Sequence, residues 1–107
     1  MDLKLAGKVA LVTGASRGIG LAIARRLAEE GMALAVAARD EPSLRTLAER
    51  IEARGGRVLV HAADLSAAAA PGAFAAAALD HFGRIDLVVN NAGATKRGDF
   101  LALSEED

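Results

Sequence analysis

The chain of 107 residues contains no cysteine, no tryptophan and no tyrosine. Without cysteine there can be no disulfide, no thiolate metal site and no cysteine nucleophile. With aromatic residues at only 3% of the sequence, an aromatic-rich recognition module is excluded as well. Charge of one sign is also lacking: 13 basic against 14 acidic residues leave a net −1. A nucleic-acid binder would normally carry a basic excess or stripe, so that class is set aside. No apolar run approaches the roughly 18 residues a membrane helix needs, because Arg, Glu or Asp interrupts every stretch. Met1 to Lys8 has no apolar core for secretion, and a cytoplasmic setting is expected.

What the chain has instead is 52% hydrophobic residues, mostly Ala, Val, Leu and Ile, a composition suited to helices packed closely on a sheet. Short apolar runs alternate with longer helical patterns. Lys8–Thr13 is rich in β-branched residues and reads as a strand buried on both faces. From Gly18 to Glu30, Ile19, Ile23 and Leu27 recur at helical spacing, with Gly31 as the stop. Ala33–Ala38 reads as a second strand, followed by Asp40 as N-cap and Pro42 in a first turn. Leu44, Leu47, Ala48 and Ile51 then mark a helix running to about Arg54, ended by Gly55-Gly56. Arg57–His61 is a third strand. Ser66–Phe82 is helical in its second half, where Phe74, Ala78 and Phe82 share a face, and Ile85–Val89 is a fourth strand. Ser104 and the acids after it read as the start of a further helix.

Four strands alternating with three helices are the signature of βαβ units, and right-handed crossovers require a parallel sheet with helices on both faces. The expected fold is therefore α/β, a parallel sheet with helices on both faces. No linker, repeat or low-complexity block divides residues 1–107 into more than one domain.

Thr13-Gly14-Ala15-Ser16-Arg17-Gly18-Ile19-Gly20 follows a strand and opens a helix, the context of a phosphate-cradling turn. Gly14 permits a sharp exit from the strand, Gly18 a close backbone approach to a pyrophosphate, and Gly20 close packing of helix on strand. The helix N-terminus adds N–H groups and a favourable dipole. The spacing is G-x-x-x-G-x-G, so neither the Walker loop nor G-x-G-x-x-G is matched. A plain strand–helix turn with three glycines is the competing explanation.

Arg39 stands just past the second strand, where an acid would bind a ribose 2′-hydroxyl and an arginine accommodates a 2′-phosphate. Arg17 could reach the same phosphate through bidentate contacts. This pair points to NADP in preference to NAD, although both could be ordinary solvated charge. Asp40 could repel a 2′-phosphate, or simply cap its helix. Asp64, after the third strand, could accept from an adenine amino group or cap the helix that follows. Asn90-Asn91 at the end of the fourth strand must be hydrogen-bonded if buried, tying strands together, touching the cofactor, or both. His61 and His81 read as packing residues, and Lys96, Arg97 and Asp99 as a polar loop; no metal site is suggested.

In order and separation, T-G-A-S-R-G-I-G at Thr13 to Gly20, D-L at Asp64-Leu65 and N-N-A-G at Asn90 to Gly93 resemble the short-chain dehydrogenase/reductase family over the whole chain. Gly93 to Arg97, with Arg39, is similar to the 3-oxoacyl-[acyl-carrier-protein] reductase-like members. The resemblance implies a Rossmann-like doubly wound parallel sheet of strand order 3-2-1-4 and hydride transfer between a nicotinamide and a carbonyl or alcohol, with NADP as cofactor, a small-molecule carbonyl or alcohol substrate and a homo-oligomer for the full-length form. Gly14, Ser16, Arg17, Gly18 and Ile19 would hold the pyrophosphate and ribose phosphate, with Gly20 in the same turn. Arg39 would read the 2′-phosphate, Asp64 and Leu65 the adenine, and Asn90 with Gly93 the nicotinamide-side ribose, Ala92 lying between them.

The family's Ser and Tyr-x-x-x-Lys catalytic residues have no counterpart in these 107 residues, so no catalytic residue is assigned. The expectation is a cofactor-binding N-terminal part that ends before the catalytic half, with its fourth strand as an open edge. A non-catalytic dinucleotide-binding module or an inactive truncation product is the alternative.

Overall fold

The computed structural model describes residues 5–91. Its elements are β1 (Val9–Thr13), α1 (Gly18–Glu29), β2 (Ala33–Ala38), α2 (Glu41–Glu52), β3 (Val58–Ala62), α3 (Ala70–Phe82) and β4 (Leu87–Val89). The four strands form one sheet in the order β3-β2-β1-β4, parallel throughout, as expected. Ala92 and Gly93, the polar loop at Lys96, Arg97 and Asp99, and the helix start at Ser104 lie outside the described residues.

Period-two alternation divides the core into two layers. Ala10 and Val12 of β1, with Leu34 and Val36 of β2, face Ala24 of α1 and Leu44, Leu47 and Ile51 of α2. Val9 and Leu11, with Ala33, Ala35 and Ala37, face Phe74 and Ala78 of α3. On that second face β2 shows only methyl groups, which leaves room for Phe74, whose ring also lies tilted on His61 at 5.3 Å. Burial of the two central strands on both sides is complete, so they read as continuous apolar runs.

The element ends differ in instructive ways from the sequence expectations. Asp40 caps α2 as expected: its carboxylate accepts from the Ser43 N–H at 3.2 Å and the Ser43 hydroxyl at 2.8 Å. In α1 the buried residues are Gly20 and Ala24, with Ile23 and Leu27 flanking them. Ile19, expected on the apolar face, is instead 53% exposed, because the two small residues set the line of closest approach. β4 begins at Leu87 rather than Ile85. One turn of the ladder is replaced there by a side chain, since the Val9 N–H donates to the Asp86 carboxylate at 2.8 Å while the Asp86 N–H donates to the Val9 carbonyl.

Candidate nucleotide site at the carboxyl edge

Because all four strands are parallel, their carboxyl ends lie along one edge of the sheet. That edge carries the Gly14–Gly20 turn after β1, Arg39 after β2, Asp64 after β3 and Asn90 after β4. The chain leaves β1 for a helix on one face and reaches β4 from a helix on the other. The gap between β1 and β4 is thus a topological switch point, where open α/β sheets receive ligands.

The turn is tied down from both sides. The N–H groups of Gly14 and Ala15 both donate to the Ala37 carbonyl of β2, at 2.8 and 3.4 Å. On the other side the Thr13 hydroxyl, only 8% exposed, accepts from the Asn91 backbone N–H at 2.7 Å. The same hydroxyl is 3.1 Å from Asn90 Oδ1 and 3.4 Å from the Val89 carbonyl, either of which can take its proton. Asn91 Nδ2 donates to the Gly14 carbonyl at 3.5 Å. The asparagine pair therefore ties β4 to β1. Asn91 is half-buried in this role, whereas Asn90 is exposed at the edge and is not the buried amide the sequence suggested.

The three glycines meet different surroundings. A Cβ on Gly20 would sit 2.1 Å from the Gly14 carbonyl oxygen and 2.8 Å from Asn91 Nδ2, so this position admits hydrogen alone. Gly14, at φ +65°, would place a Cβ 3.1 Å from the Asn91 backbone. Gly18 also has positive φ, +63°, but a Cβ there would meet nothing within 4 Å. Steric crowding thus holds the first and third glycines, while the second borders open space. Arg17, the N-cap residue of α1, makes no side-chain capping bond, and no acid stands in the first turn. The leading N–H groups of α1 are left for another acceptor.

Arg17 and Arg39 are both exposed, and Ser16 lies half-buried in a groove beside Ser43 and Thr46 of α2. Asp64 turns onto Ser66, accepting from its hydroxyl at 2.6 Å and its N–H at 3.0 Å. These two bonds, with a smaller contribution from the positive charge of Arg39, hold the Asp64 carboxyl below its usual range. Asp64 does not cap α3, which starts six residues later, and Leu65 beside it packs into the second core layer. Of the residues singled out in the sequence, the structure brings Gly14 to Gly20, Arg39, Asp64, Leu65 and Asn90 to one edge; Ala92 and Gly93 are outside the described residues. Thr13 and Asn91 were not among the assigned site residues. The signal for them was their juxtaposition: pairing of Val12 with Val89 sets Thr13 opposite Asn90. Among the described residues no group of three His, Asp or Glu side chains could hold a metal ion, and no helix is long and apolar enough to cross a membrane.

A family model described as short chain dehydrogenase matches residues 8–107. The chain belongs to the short-chain dehydrogenase/reductase family. An uncharacterized oxidoreductase of Methylorubrum extorquens is 44% identical over 103 residues, covering 95% of this chain and 40% of that protein. Among solved structures, L-sorbose reductase from Gluconobacter frateurii, complexed with NADPH and L-sorbose, superposes with TM-score 0.83 at 37% identity over 99% of this chain and 41% of that one. A short-chain dehydrogenase/reductase from Burkholderia phymatum in complex with NAD gives TM-score 0.80 at 41% identity, covering 85% of this chain and 32% of that chain. This chain spans about two-fifths of the length of the curated relatives it matches.

Proposed function

We propose that this chain is the cofactor-binding part of an NADP-dependent oxidoreductase acting on a carbonyl or alcohol. The observation that carries this reading is the uncapped N-terminus of α1, which opens beside Gly18 onto free space and has Arg17 at its cap. A Cβ-free cradle with unclaimed N–H donors fits a pyrophosphate. Gly14 and Gly20 hold the turn in shape, and Gly18, Ile19 and Ser16 offer the backbone and hydroxyl groups around it.

Arg39 follows β2, where the 2′ substituent of the adenosine ribose would be read, and a guanidinium there suits a 2′-phosphate. The next residue in sequence, Asp40, has its carboxylate engaged by Ser43. Asp64 and Leu65 would border the adenine, and Asn90, exposed at the end of β4, the nicotinamide-side ribose. When bound, the nicotinamide would supply or accept the hydride. The residues of this chain bind and orient it.

Titration of NADPH and NADH against the protein and its Arg39→Asp variant, followed by reduced-nicotinamide fluorescence, tests the assignment. NADPH affinity should fall at least tenfold while NADH affinity changes little or improves. Equal losses for both would remove the 2′-phosphate role, and no binding of either to the unsubstituted protein would remove the nucleotide site.

A further inference from the structure

The opposite edge of the sheet holds a second concave site. A cleft of about 700 Å³ lies between the carboxyl-terminal ends of α1 and α2, beside the first residues of β2. Its volume falls within the range of small-molecule sites. The floor is apolar, formed by Met32, Leu47 and Ile51, all buried. Its walls carry Arg25 from α1, Arg50 from α2 and Arg54 from the turn after it, against a single acid, Glu29; Arg57 also borders the cleft but turns its guanidinium onto Phe82 of the α3 face. Strands of five or six residues at about 3.3 Å each put this cleft some 16–20 Å from the glycine turn.

The arginines here are not arranged like those elsewhere on the same helices. Arg26 pairs with Glu30 at 2.9 Å and Arg45 with Glu41 at 3.3 Å, the i,i+4 pattern of a solvated helix face. Arg25, Arg50 and Arg54 have no ion-pair partner among the described residues, and Arg57 makes only a ring contact, its guanidinium 5.5 Å from the Phe82 centroid. A cation near a helix C-terminus complements the dipole. That accounts for Arg26 and Arg50, the cations of the two last turns, and leaves Arg25 and Arg54 on the rim of the hollow. Arg25 and Arg50 also border the smaller groove that reaches Ser16, so the positive lining extends along the seam between α1 and α2.

We propose that this cleft binds a small organic anion carrying two or more phosphate or carboxylate groups, its body resting on the Met32–Leu47–Ile51 floor. Guanidinium forks suit both groups, and the volume of the open cleft fits a small molecule. This cleft adjoins the groove that reaches Ser16, but none of the glycine-turn residues lines it.

Calorimetric titration with inorganic pyrophosphate and, separately, citrate tests it, with NADPH in saturating excess so that the glycine turn and Arg39 do not compete. One-site binding of either anion is expected, the preferred one identifying phosphate or carboxylate chemistry. Adding Arg50→Gln/Arg54→Gln should weaken that binding tenfold or more with an unchanged circular dichroism spectrum, since both side chains are exposed. Failure of both anions to bind, or equal binding after the arginines are removed, would overturn the proposal.

Discussion

The Asn91 backbone N–H meets the Thr13 hydroxyl at 2.7 Å, across 78 positions of sequence. This bond joins the end of β4 to the residue from which the glycine turn departs. Anything that loosens it frees the turn on the side of the sheet where β4 is the only neighbour of β1.

Thr13→Val keeps the shape of the side chain and removes the hydroxyl. The half-buried Asn91 N–H then loses its acceptor, at about 1–3 kcal/mol. Urea unfolding should show that loss, and Thr13→Ser, which restores the oxygen, should recover most of it. A Thr13→Val protein as stable as its parent would mean the bond is replaced by water at no cost.

Gly18 and Gly20 should respond differently to the same methyl group. Gly20→Ala forces a Cβ against the Gly14 carbonyl, where backbone must move, so both thermal stability and nucleotide affinity should drop. Gly18→Ala meets no atom and carries only the left-handed strain, about 1–2 kcal/mol. Its effect on nucleotide affinity should exceed its effect on melting temperature, because the added methyl occupies the space beside the uncapped helix end. Thermal melts paired with NADPH titrations separate the two.

Asp86 ties stability to pH. Its carboxyl is held low by the Arg84 guanidinium, bonded at 2.8 and 2.9 Å, and further by the Val9 N–H and the charge of Lys8. A carboxyl depressed in the folded state adds stability that is fully present above the ordinary carboxylate range, near pH 4, and is lost as pH falls toward the folded value. The Arg84 contact spans two residues and can persist in an unfolded chain, whereas the Val9 bond spans 77 and cannot. Asp86→Asn should therefore lower stability at pH 7 and flatten the decline below pH 4, as followed by urea midpoints across pH. Parallel pH profiles for the two proteins would contradict this.

Much of the architecture was legible in the chain. Leu44, Leu47, Ala48 and Ile51 are all buried on α2 as their spacing required, and Asp40 caps that helix as its position before Pro42 required. The helix face of α1 was less legible. Periodicity weights large side chains, so Ile19 was counted inward, while Gly20 and Ala24 make the closest approach because they are small. Contacts between distant segments left no local trace. The carboxylate of Asp86 standing in for a ladder carbonyl of β4 opposite Val9, 77 residues away, follows from backbone geometry that spacing alone does not encode.

By itself the residue pattern determined a parallel sheet with helices on both faces and the place of the glycine turn, because alternating apolar periods and handed crossovers leave few topologies, while the order 3-2-1-4 came from the motifs shared with the family. Only the tertiary structure decided which glycine faces open space, which asparagine is half-buried and which exposed, and that arginines from α1, α2 and the turn after α2 border one cleft. Those outcomes depend on which atoms of remote segments come within a few ångströms of one another, and close packing settles that only once the whole sheet is assembled.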